Sequence, residues 1–327
     1  MKRRDFLKTA VAAPALFAIG GRASAQANWP TRNVTMIVPF PPGGQADLAA
    51  RPIAAKLQAI FGRPVIVDNR SGAGGATGNA AAARAEPDGH TLLMTLSSLA
   101  VLPEADRLFD RPPQYEMSQL VPVARVLADP TLLAVTASTP WKSVKEFVEA
   151  AKAQPGIIPY GSSGSYGTLH VAMEMFAANA GIKLSHIPYR GAGPALVDLL
   201  SGQVKALASA PGVLKQHADA GTIRLLANWG SERLAAFPNL PTFRELGYQD
   251  TEFYIWAGLF APAKVPEPIL AQIRAAMRQA MSDPEVIRIF ETAGSPPAYQ
   301  DAPEFARFVE ADSARLIAAV KKIGRVA

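Results

Sequence analysis

The sequence has no cysteine, few histidines and, after its first residues, no long apolar run. The 327-residue chain contains no Cys and only four His. The lack of cysteine excludes disulfides, thiolate nucleophiles and zinc–thiolate sites, and no two histidines have metal-ligand spacing. No later segment is long and apolar enough to span a bilayer. We therefore expect neither a metal nor a cofactor.

The N-terminus has the features of an export signal. The opening MKRRDFLK places Arg3 and Arg4 before a short apolar stretch, and the small residues ASA close it at Ala25. A basic region, a short apolar region and a small-residue cleavage site are typical of a secretory signal, and paired arginines indicate the twin-arginine route. We predict a signal peptide over residues 1–25 and a periplasmic protein. The alternative is a cytoplasmic protein with an apolar N-terminal helix.

Little net charge remains once this leader is removed. The leader carries five basic residues and one acidic residue, a net charge of +4, whereas the whole chain carries +6. The mature chain therefore has a net charge of only +2. It has no basic run and no nucleic-acid-binding motif, so nucleic acid is not an expected partner.

Short β-branched runs alternate with alanine-rich helical stretches along the mature chain. This alternation predicts an α/β fold whose sheet is covered by helices on both faces. Two short regions, residues 124–130 and 244–250, are predicted to cross between two lobes. We expect a discontinuous domain 1 (residues 26–127 and 249–327), a domain 2 (residues 128–248), and a ligand cleft between them at the carboxyl ends of the strands.

The stretch PFPPGGQAD follows the first apolar run. Gly43 and Gly44 permit positive φ and expose backbone N–H groups, and Asp47 is predicted to be the N-cap of the next helix. Such a loop can present amides to an anion at a helix N-terminus. The alternative is a tight turn that binds nothing. Pro52 lies inside the following helix, where it is expected to remove a hydrogen bond and bend the helix.

Three further loops supply polar groups near predicted strand ends. YGSSGSYGTLH offers serine and threonine hydroxyls and glycine amides, which suit a carboxylate, although a capped turn is the alternative. In PYRGAGP, Gly193 is the predicted N-cap, and Arg190 either binds a carboxylate or forms a surface ion pair. TLSSLAV contributes Ser97. His170, at the end of YGSSGSYGTLH, is a candidate ligand-binding residue, and the alternative is a helix-capping or core role.

Eight motifs together resemble one family across nearly the whole mature chain. They are VPFPPGGQAD, VDNRSGAGGATG, AEPDGHTLL, VPVARV, YGSSGSYGTLH, HIPYRGAGPALVDLLSGQV, FPNLPTFRELGY and WAGLFAPAKVP. The chain resembles the Bug-type (TctC-like) periplasmic solute-binding receptors of tripartite tricarboxylate transporters.

The resemblance implies a two-lobed Venus-flytrap of type II with two crossing segments, which is a monomeric receptor and not an enzyme. It also implies a small organic carboxylate between the lobes and the permease subunits of a tripartite tricarboxylate transporter as partners. The positions that match the family's motifs, and are therefore expected to bind ligand, are Pro42, Gly43, Gly44, Gln45, Asp47, Ser97, Ser162, Ser163, Thr168, His170 and Gly191. Arg190 and Ser209 complete the candidate set.

One departure from the family bears on the ligand. The family often has an acidic residue after GQV, where this chain has Ser209 and Ala210. The loss of that carboxylate favours an acid without an amino group over an acidic amino acid. Dicarboxylic, tricarboxylic and aromatic acids all stay open.

Two other functions compete with this one. An exported α/β enzyme acting on a carboxylic acid or ester would need a nucleophile elbow or an acid–base pair, and the sequence offers neither. A ligand-sensing partner of a membrane kinase would use the same two lobes without transport.

Overall fold

The computed structural model of the chain describes residues 29–326. The predicted signal peptide lies outside these residues. The described chain forms two sheets with helices packed around them. No helix within residues 29–326 is both long and apolar enough to cross a membrane.

The first sheet, with its helices, is called lobe 1. Its strands are β1 (Val34–Val38), β2 (Val65–Asn69), β3 (Thr91–Leu96), β4 (Leu120–Pro130), β10 (Tyr254–Pro262) and β11 (Gln300–Asp301). Their order is β11-β4-β10-β3-β1-β2. Strands β1, β2 and β3 are parallel, so their carboxyl ends share one edge of the sheet. Strand β10 is antiparallel to β3 and β4.

The second sheet, with its helices, is called lobe 2. Its strands are β5 (Leu132–Thr136), β6 (Pro159–Ser162), β7 (Ser185–Pro188), β8 (Ala206–Ser209) and β9 (Ile223–Asn228). Their order is β7-β6-β8-β5-β9. Strand β6 is parallel to β7 and β8, whereas β5 is antiparallel to β8 and β9.

The helices begin mostly where the sequence predicts loops to end. They are α1 (Gln45–Phe61), α2 (Ala76–Ala83), α3 (Ser98–Leu108), α4 (Val144–Ala153), α5 (Thr168–Ala180), α6 (Ala192–Ser201), α7 (Pro211–Asp219), α8 (Glu267–Met281), α9 (Pro284–Thr292) and α10 (Ala302–Ile323). Helix α1 continues through Pro52. Helix α6 begins with Gly191 as its N-cap and not, as predicted, with Gly193.

Each lobe has an aromatic cluster in its core. In lobe 2, the ring centroids of Trp229 and Phe176 lie 4.4 Å and 4.5 Å from that of Phe243. In lobe 1, Trp256 packs edge-on against Phe305 at 5.6 Å. Every residue of β5 is buried, as expected for a strand covered on both faces.

Two adjacent segments carry the chain between the lobes. Only Thr131 separates β4 from β5, and residues 229–253 return the chain from β9 to β10. Backbone hydrogen bonds join the two segments: Thr131 N donates to Phe253 O (3.0 Å), Trp229 N to Thr131 O (2.8 Å) and Phe253 N to Trp229 O (3.0 Å). The predicted two-lobed fold with two crossing segments is confirmed. The expected boundary after residue 127 falls inside β4, and the one after residue 248 falls in the return segment.

Candidate ligand-binding site

Loop 1 (residues 39–44) connects β1 to α1 at the carboxyl edge of the parallel strands. Gly43 has φ +82°, which favours glycine. Gly44 is the N-cap of α1 with an extended backbone, and no side chain caps it. The first N–H groups of α1 therefore have no side-chain acceptor at the N-cap and lie at the positive end of the helix dipole.

Asp47 holds loop 1 in place from inside the helix, and its predicted role as N-cap is wrong. It lies in the first turn of α1, since the helix begins at Gln45. Its carboxylate accepts hydrogen bonds from Gly43 N (3.0 Å), Asn69 Nδ2 (3.0 Å) and Arg51 Nε (2.8 Å). Burial acts to raise the pKa of Asp47, but the hydrogen bonds from Arg51, Gly43 and Asn69 outweigh it and lower the pKa. The hydrogen bonds of this carboxylate therefore hold loop 1 in its conformation.

Loop 2 (residues 162–167) connects β6 to α5 in the other lobe. Ser162 Oγ accepts from Gly164 N (3.1 Å) and lies 2.6 Å from His186 Nε2. Tyr166 has φ +56°, a conformation that non-glycine residues rarely adopt. Its backbone N–H donates to His170 Nδ1 at 2.9 Å, which stabilises this turn. Ser162 and His170 thus shape loop 2.

The two histidines behind loop 2 are uncharged at neutral pH. Their rings stack with centroids 4.0 Å apart. Burial, with a smaller effect of His186, lowers the pKa of His170 to about 3, and burial lowers the pKa of His186 to about 4. Neither imidazole supplies a positive charge for an anion.

The lobes touch through backbone and small side chains near these loops. Ser97 Oγ, at the end of β3, donates to Thr168 Oγ1 at the start of α5 (3.4 Å). A Cβ atom added to Gly191 would lie 2.4 Å from Pro41 Cδ in loop 1. This approach is possible only because residue 191 has no side chain.

A small cavity lies between the lobes at this contact. In this arrangement of the lobes it has room for about one water molecule, so a larger ligand fits only when the lobes move apart. Its lining comes from both lobes: Phe40, Gly44, Gln45, Leu96, Ser163, Leu169, Ala192, Ser209 and Ile255. Five of these residues are apolar side chains that the sequence reasoning did not identify, because they look like ordinary core residues.

Three of the lining residues carry a buried polar atom that has no hydrogen-bond partner among the described residues. These atoms are Gln45 Oε1, Ser163 Oγ and Ser209 Oγ. A buried polar group without a partner costs about 1–3 kcal/mol, and most buried polar groups in native proteins have a partner. Three such residues around one cavity indicate a site for a polar molecule.

Four helices begin at the cavity. Gly44 and Gln45 start α1, Leu169 lies in the first turn of α5, and Ala192 starts α6. Ser209 lies directly before Ala210, the N-cap of α7. Each helix N-terminus carries about half a positive charge, so these termini favour an anion in the cavity although no charged side chain lines it.

Behind Gln45 lies a buried carboxylate that the sequence reasoning missed. Gln45 Nε2 donates a short hydrogen bond to Asp129 Oδ2 near the end of β4. Ser295 also bonds to Asp129, and Ser295 Oγ accepts from Gly212 N of lobe 2 (3.1 Å). Burial raises the pKa of Asp129 to about 7, against the effects of Ser295 and Gln45. The sequence feature that could have indicated this buried carboxylate is an aspartate within the apolar run VARVLADP.

Only some of the predicted residues lie at the cavity. Gly44, Gln45, Ser163 and Ser209 line it. The others do not line it: Gly43, Asp47, Ser162 and His170 shape the loops, and Pro42, Ser97, Thr168 and Gly191 lie at or beside the contact between lobes. Arg190 is exposed and lines a separate, larger crevice together with Arg111 and Tyr166.

Solved structures with the same fold include carboxylate-bound proteins. The periplasmic binding protein BugD is 28% identical with a TM-score of 0.85, and the match covers 90% of this chain and 99% of BugD. An R. palustris protein solved with adipate is 31% identical (TM-score 0.84, 90% and 98% covered). MatC from Rhodopseudomonas palustris, solved with malate, is 28% identical (TM-score 0.82, 89% and 99% covered).

The family model described as "Tripartite tricarboxylate transporter family receptor", TctC, matches residues 49–325. The family is one of transporter receptors and BugD is a periplasmic binding protein, which confirms the expectation that this chain is a receptor and not an enzyme. The positions of the two loops, the cavity between the lobes and the matched sequence all point to the same family. The chain belongs to the TctC family of periplasmic solute-binding receptors.

Proposed function

We propose that the protein captures a small organic carboxylate in the cavity between its lobes and delivers it to a tripartite tricarboxylate-type permease. The observation that carries the proposal is that one cavity is lined by residues at the starts of helices α1, α5 and α6, by Ser209 just before α7, and by Ser163; the hydroxyls of Ser163 and Ser209 are buried without a partner. Hydroxyl and amide dipoles stabilise an anion without a formal positive charge. Each helix N-terminus contributes about 0.3–1 kcal/mol, and up to about 2 kcal/mol where it is buried.

The lining favours an acid without an amino group. No carboxylate lines the cavity within the described chain, so an ammonium group would be buried without a counter-charge, which is strongly unfavourable. The apolar side chains of Phe40, Leu96 and Ile255 suit a short hydrocarbon backbone. Adipate and malate, which the two related structures contain, are both dicarboxylic acids of this kind, and we propose a dicarboxylate as the preferred ligand.

Binding is proposed to act by closing the lobes. Lobe 1 supplies Gly44 and Gln45, and lobe 2 supplies Ser163 and Ser209. A ligand that contacts both lobes makes more interactions in the closed state, and the equilibrium shifts by that difference in affinity. The closed surface would then be recognised by the permease. We also expect export by the twin-arginine signal to the periplasm and action as a monomer.

Isothermal titration calorimetry against a panel of acids tests the proposal. The panel contains dicarboxylic, tricarboxylic and aromatic acids together with aspartate and glutamate. We expect binding of at least one acid without an amino group, weakened about tenfold by Ser163→Ala through loss of a hydrogen bond to a charged group. Ser201→Ala, which changes an exposed serine of lobe 2, is the matched control and should leave affinity unchanged. Heat with none of the acids would refute carboxylate binding, and heat only with aspartate or glutamate would refute the preference against an amino group.

Uptake of the bound acid in a strain lacking the gene tests the partner. We expect uptake to be lost in this strain and to return when the gene is restored. Unchanged uptake would contradict delivery to a permease.

A further inference from the structure

The side chain of Gln45 lies at the proposed anion site with one unpartnered acceptor. Gln45 lines the cavity, its Nε2 atom donates to Asp129, and its Oε1 atom is buried without a hydrogen-bond partner among the described residues. An amide oxygen repels a carboxylate, whereas an amide N–H₂ group binds one. A half-turn about the terminal bond of the side chain exchanges the two atoms. The group that Asp129 offers to Gln45 decides which orientation is stable.

Asp129 offers an acceptor or a donor according to its protonation. The ionised carboxylate only accepts, so it holds the Gln45 N–H₂ group away from the cavity. The protonated carboxyl can donate its O–H to Gln45 Oε1, which leaves the N–H₂ group free to donate into the cavity. The hydroxyl of Ser295 serves either state, because it can bond to the other carboxyl oxygen.

We propose that Asp129 is a positioning residue that sets which end of the Gln45 amide faces the cavity, so that the protein takes up a carboxylate together with one proton. This inference rests on the proposed function. The proton comes from solvent and resides on Asp129. The bound anion and the protonated carboxyl stabilise each other through Gln45, and by linkage each raises the affinity for the other.

The environment of Asp129 makes this proton exchange accessible near neutral pH. Asp129 is 2% exposed, and burial raises its pKa to about 7. Strand register places the apolar Ile255 of β10 opposite it, and its neighbour Ala128 faces the pocket lined by Asp312 and Arg315 of α10. No charged group among residues 29–326 adds to the effects of burial, Ser295 and Gln45 on this pKa.

The titratable groups on the surrounding helices are mostly paired with each other. Arg51 pairs with Asp47, Lys215 with Asp219, and Arg288 with Glu285. The groups on these helices are Asp47, Arg51 and Lys56 on α1, Lys215, His217 and Asp219 on α7, and Glu285, Arg288 and Glu291 on α9. His170 and His186 have pKa values near 3 and 4, so they do not titrate in the range of the test.

Calorimetry with adipate, and with malate as a second probe, measures the linked proton. If only the protonated form binds, a pKa of about 7 predicts a Kd about 30-fold higher at about pH 8.5 than at about pH 6. Titrations in two buffers of different ionisation enthalpy should give uptake of about 0.9 proton per ligand at about pH 8. Both carboxyls of either probe are fully ionised at about pH 8, where the proton uptake is measured.

Two variants separate the proposed route from a general charge effect. Asp129→Asn places a permanent N–H donor against Gln45 Oε1, so we expect tight binding at both pH values without proton uptake. Gln45→Leu removes the amide while Asp129 stays, so we expect weaker binding that has lost most of its pH dependence. Glu174→Gln, which changes a carboxylate of lobe 2 bonded to Tyr160, is the control and should keep the wild-type pH dependence.

These experiments can refute the role of Asp129 without refuting carboxylate capture. Binding with no proton uptake, or the wild-type pH dependence in Asp129→Asn or Gln45→Leu, would overturn the inference while leaving carboxylate capture intact. No binding of any acid at either pH would overturn both. Proton uptake that disappears in both variants and persists in Glu174→Gln supports the coupling of Asp129 to the ligand through Gln45.

Discussion

A methyl group at residue 191 should prevent the lobes from closing. The Cβ of Gly191→Ala would lie 2.4 Å from Pro41 Cδ, whereas ordinary contacts begin near 3.4 Å. Both atoms belong to stiff parts of the chain, a helix N-cap and a proline ring. The lobes must therefore separate by about 1 Å at this point, which stretches a hydrogen bond of about 2.9 Å from the far lobe beyond its useful range.

The expected loss of affinity follows from the hydrogen bonds broken. One or two bonds to a charged group are worth about 3 kcal/mol together, which weakens binding about 100-fold. The fold of each lobe should not change, because residue 191 has an extended backbone that any residue adopts.

Two neighbouring glycines provide graded controls for this steric effect. A Cβ on Gly193 would lie 3.0 Å from Pro42 O, and one on Gly44 would lie 3.8 Å from Pro41 O. We expect a moderate loss of affinity, roughly three- to tenfold, for Gly193→Ala, since a shift of a few tenths of an ångström is enough. Gly44→Ala should let the lobes close as in the wild type, because its contact with Pro41 O is an ordinary one.

Calorimetry and small-angle X-ray scattering test the series. The radius of gyration should fall on ligand addition in the wild type and in Gly44→Ala, but much less in Gly191→Ala. Wild-type affinity and compaction in Gly191→Ala would refute the closure that we infer from the contact between loop 1 and residue 191.

Three further predictions concern stability. Ser163→Ala and Ser209→Ala each remove a buried unpartnered hydroxyl. The free energy of unfolding of the ligand-free protein, measured in urea, should therefore rise by up to about 1 kcal/mol while ligand binding weakens. A fall of more than about 1 kcal/mol would show that the hydroxyl already has a hydrogen-bond partner. The pKa of Asp129 is raised from 3.8 to about 7, so between these pH values the native state binds more protons than the unfolded chain, and stability falls as pH rises. Asp129→Asn should remove up to about 4 kcal/mol of this loss. An unchanged pH profile of stability would contradict the raised pKa of Asp129. Asp47→Ala leaves Gly43 N without its acceptor and removes one of the two bonds that Asn69 Nδ2 donates. It should cost about 2–4 kcal/mol, and a cost below about 1 kcal/mol would contradict its role in loop 1.

The fold and the loops that form the site could be predicted from the sequence. β-branched runs followed by glycine-rich loops and alanine-rich helices predict an α/β fold with loops at strand ends, and the structure has α1 after PFPPGG and α5 after YGSSGSYG. The small errors concern where helices begin. Asp47 looks like an N-cap from its residue type, but its carboxylate reaches back to Gly43 from the first turn, which residue preference alone does not reveal.

The composition of the cavity could not be predicted in full. Gln45 and Asp129 are 84 residues apart in sequence, and no local pattern shows that they pair. The apolar lining residues Phe40 and Ile255 cannot be told from core residues by hydrophobicity. Arg190 ends a predicted strand, yet its side chain is exposed at another crevice, because side-chain direction depends on how the lobes meet.

A crystal structure of the protein with bound adipate tests most directly whether neutral dipoles from both lobes hold the anion. We predict carboxylate oxygens about 3 Å from the hydroxyls of Ser163 and Ser209 and from the first N–H groups of α1 or α6, with no lysine or arginine in contact. Adipate bound instead in the larger crevice, with its carboxylate paired to Arg190 or Arg111, would contradict the account.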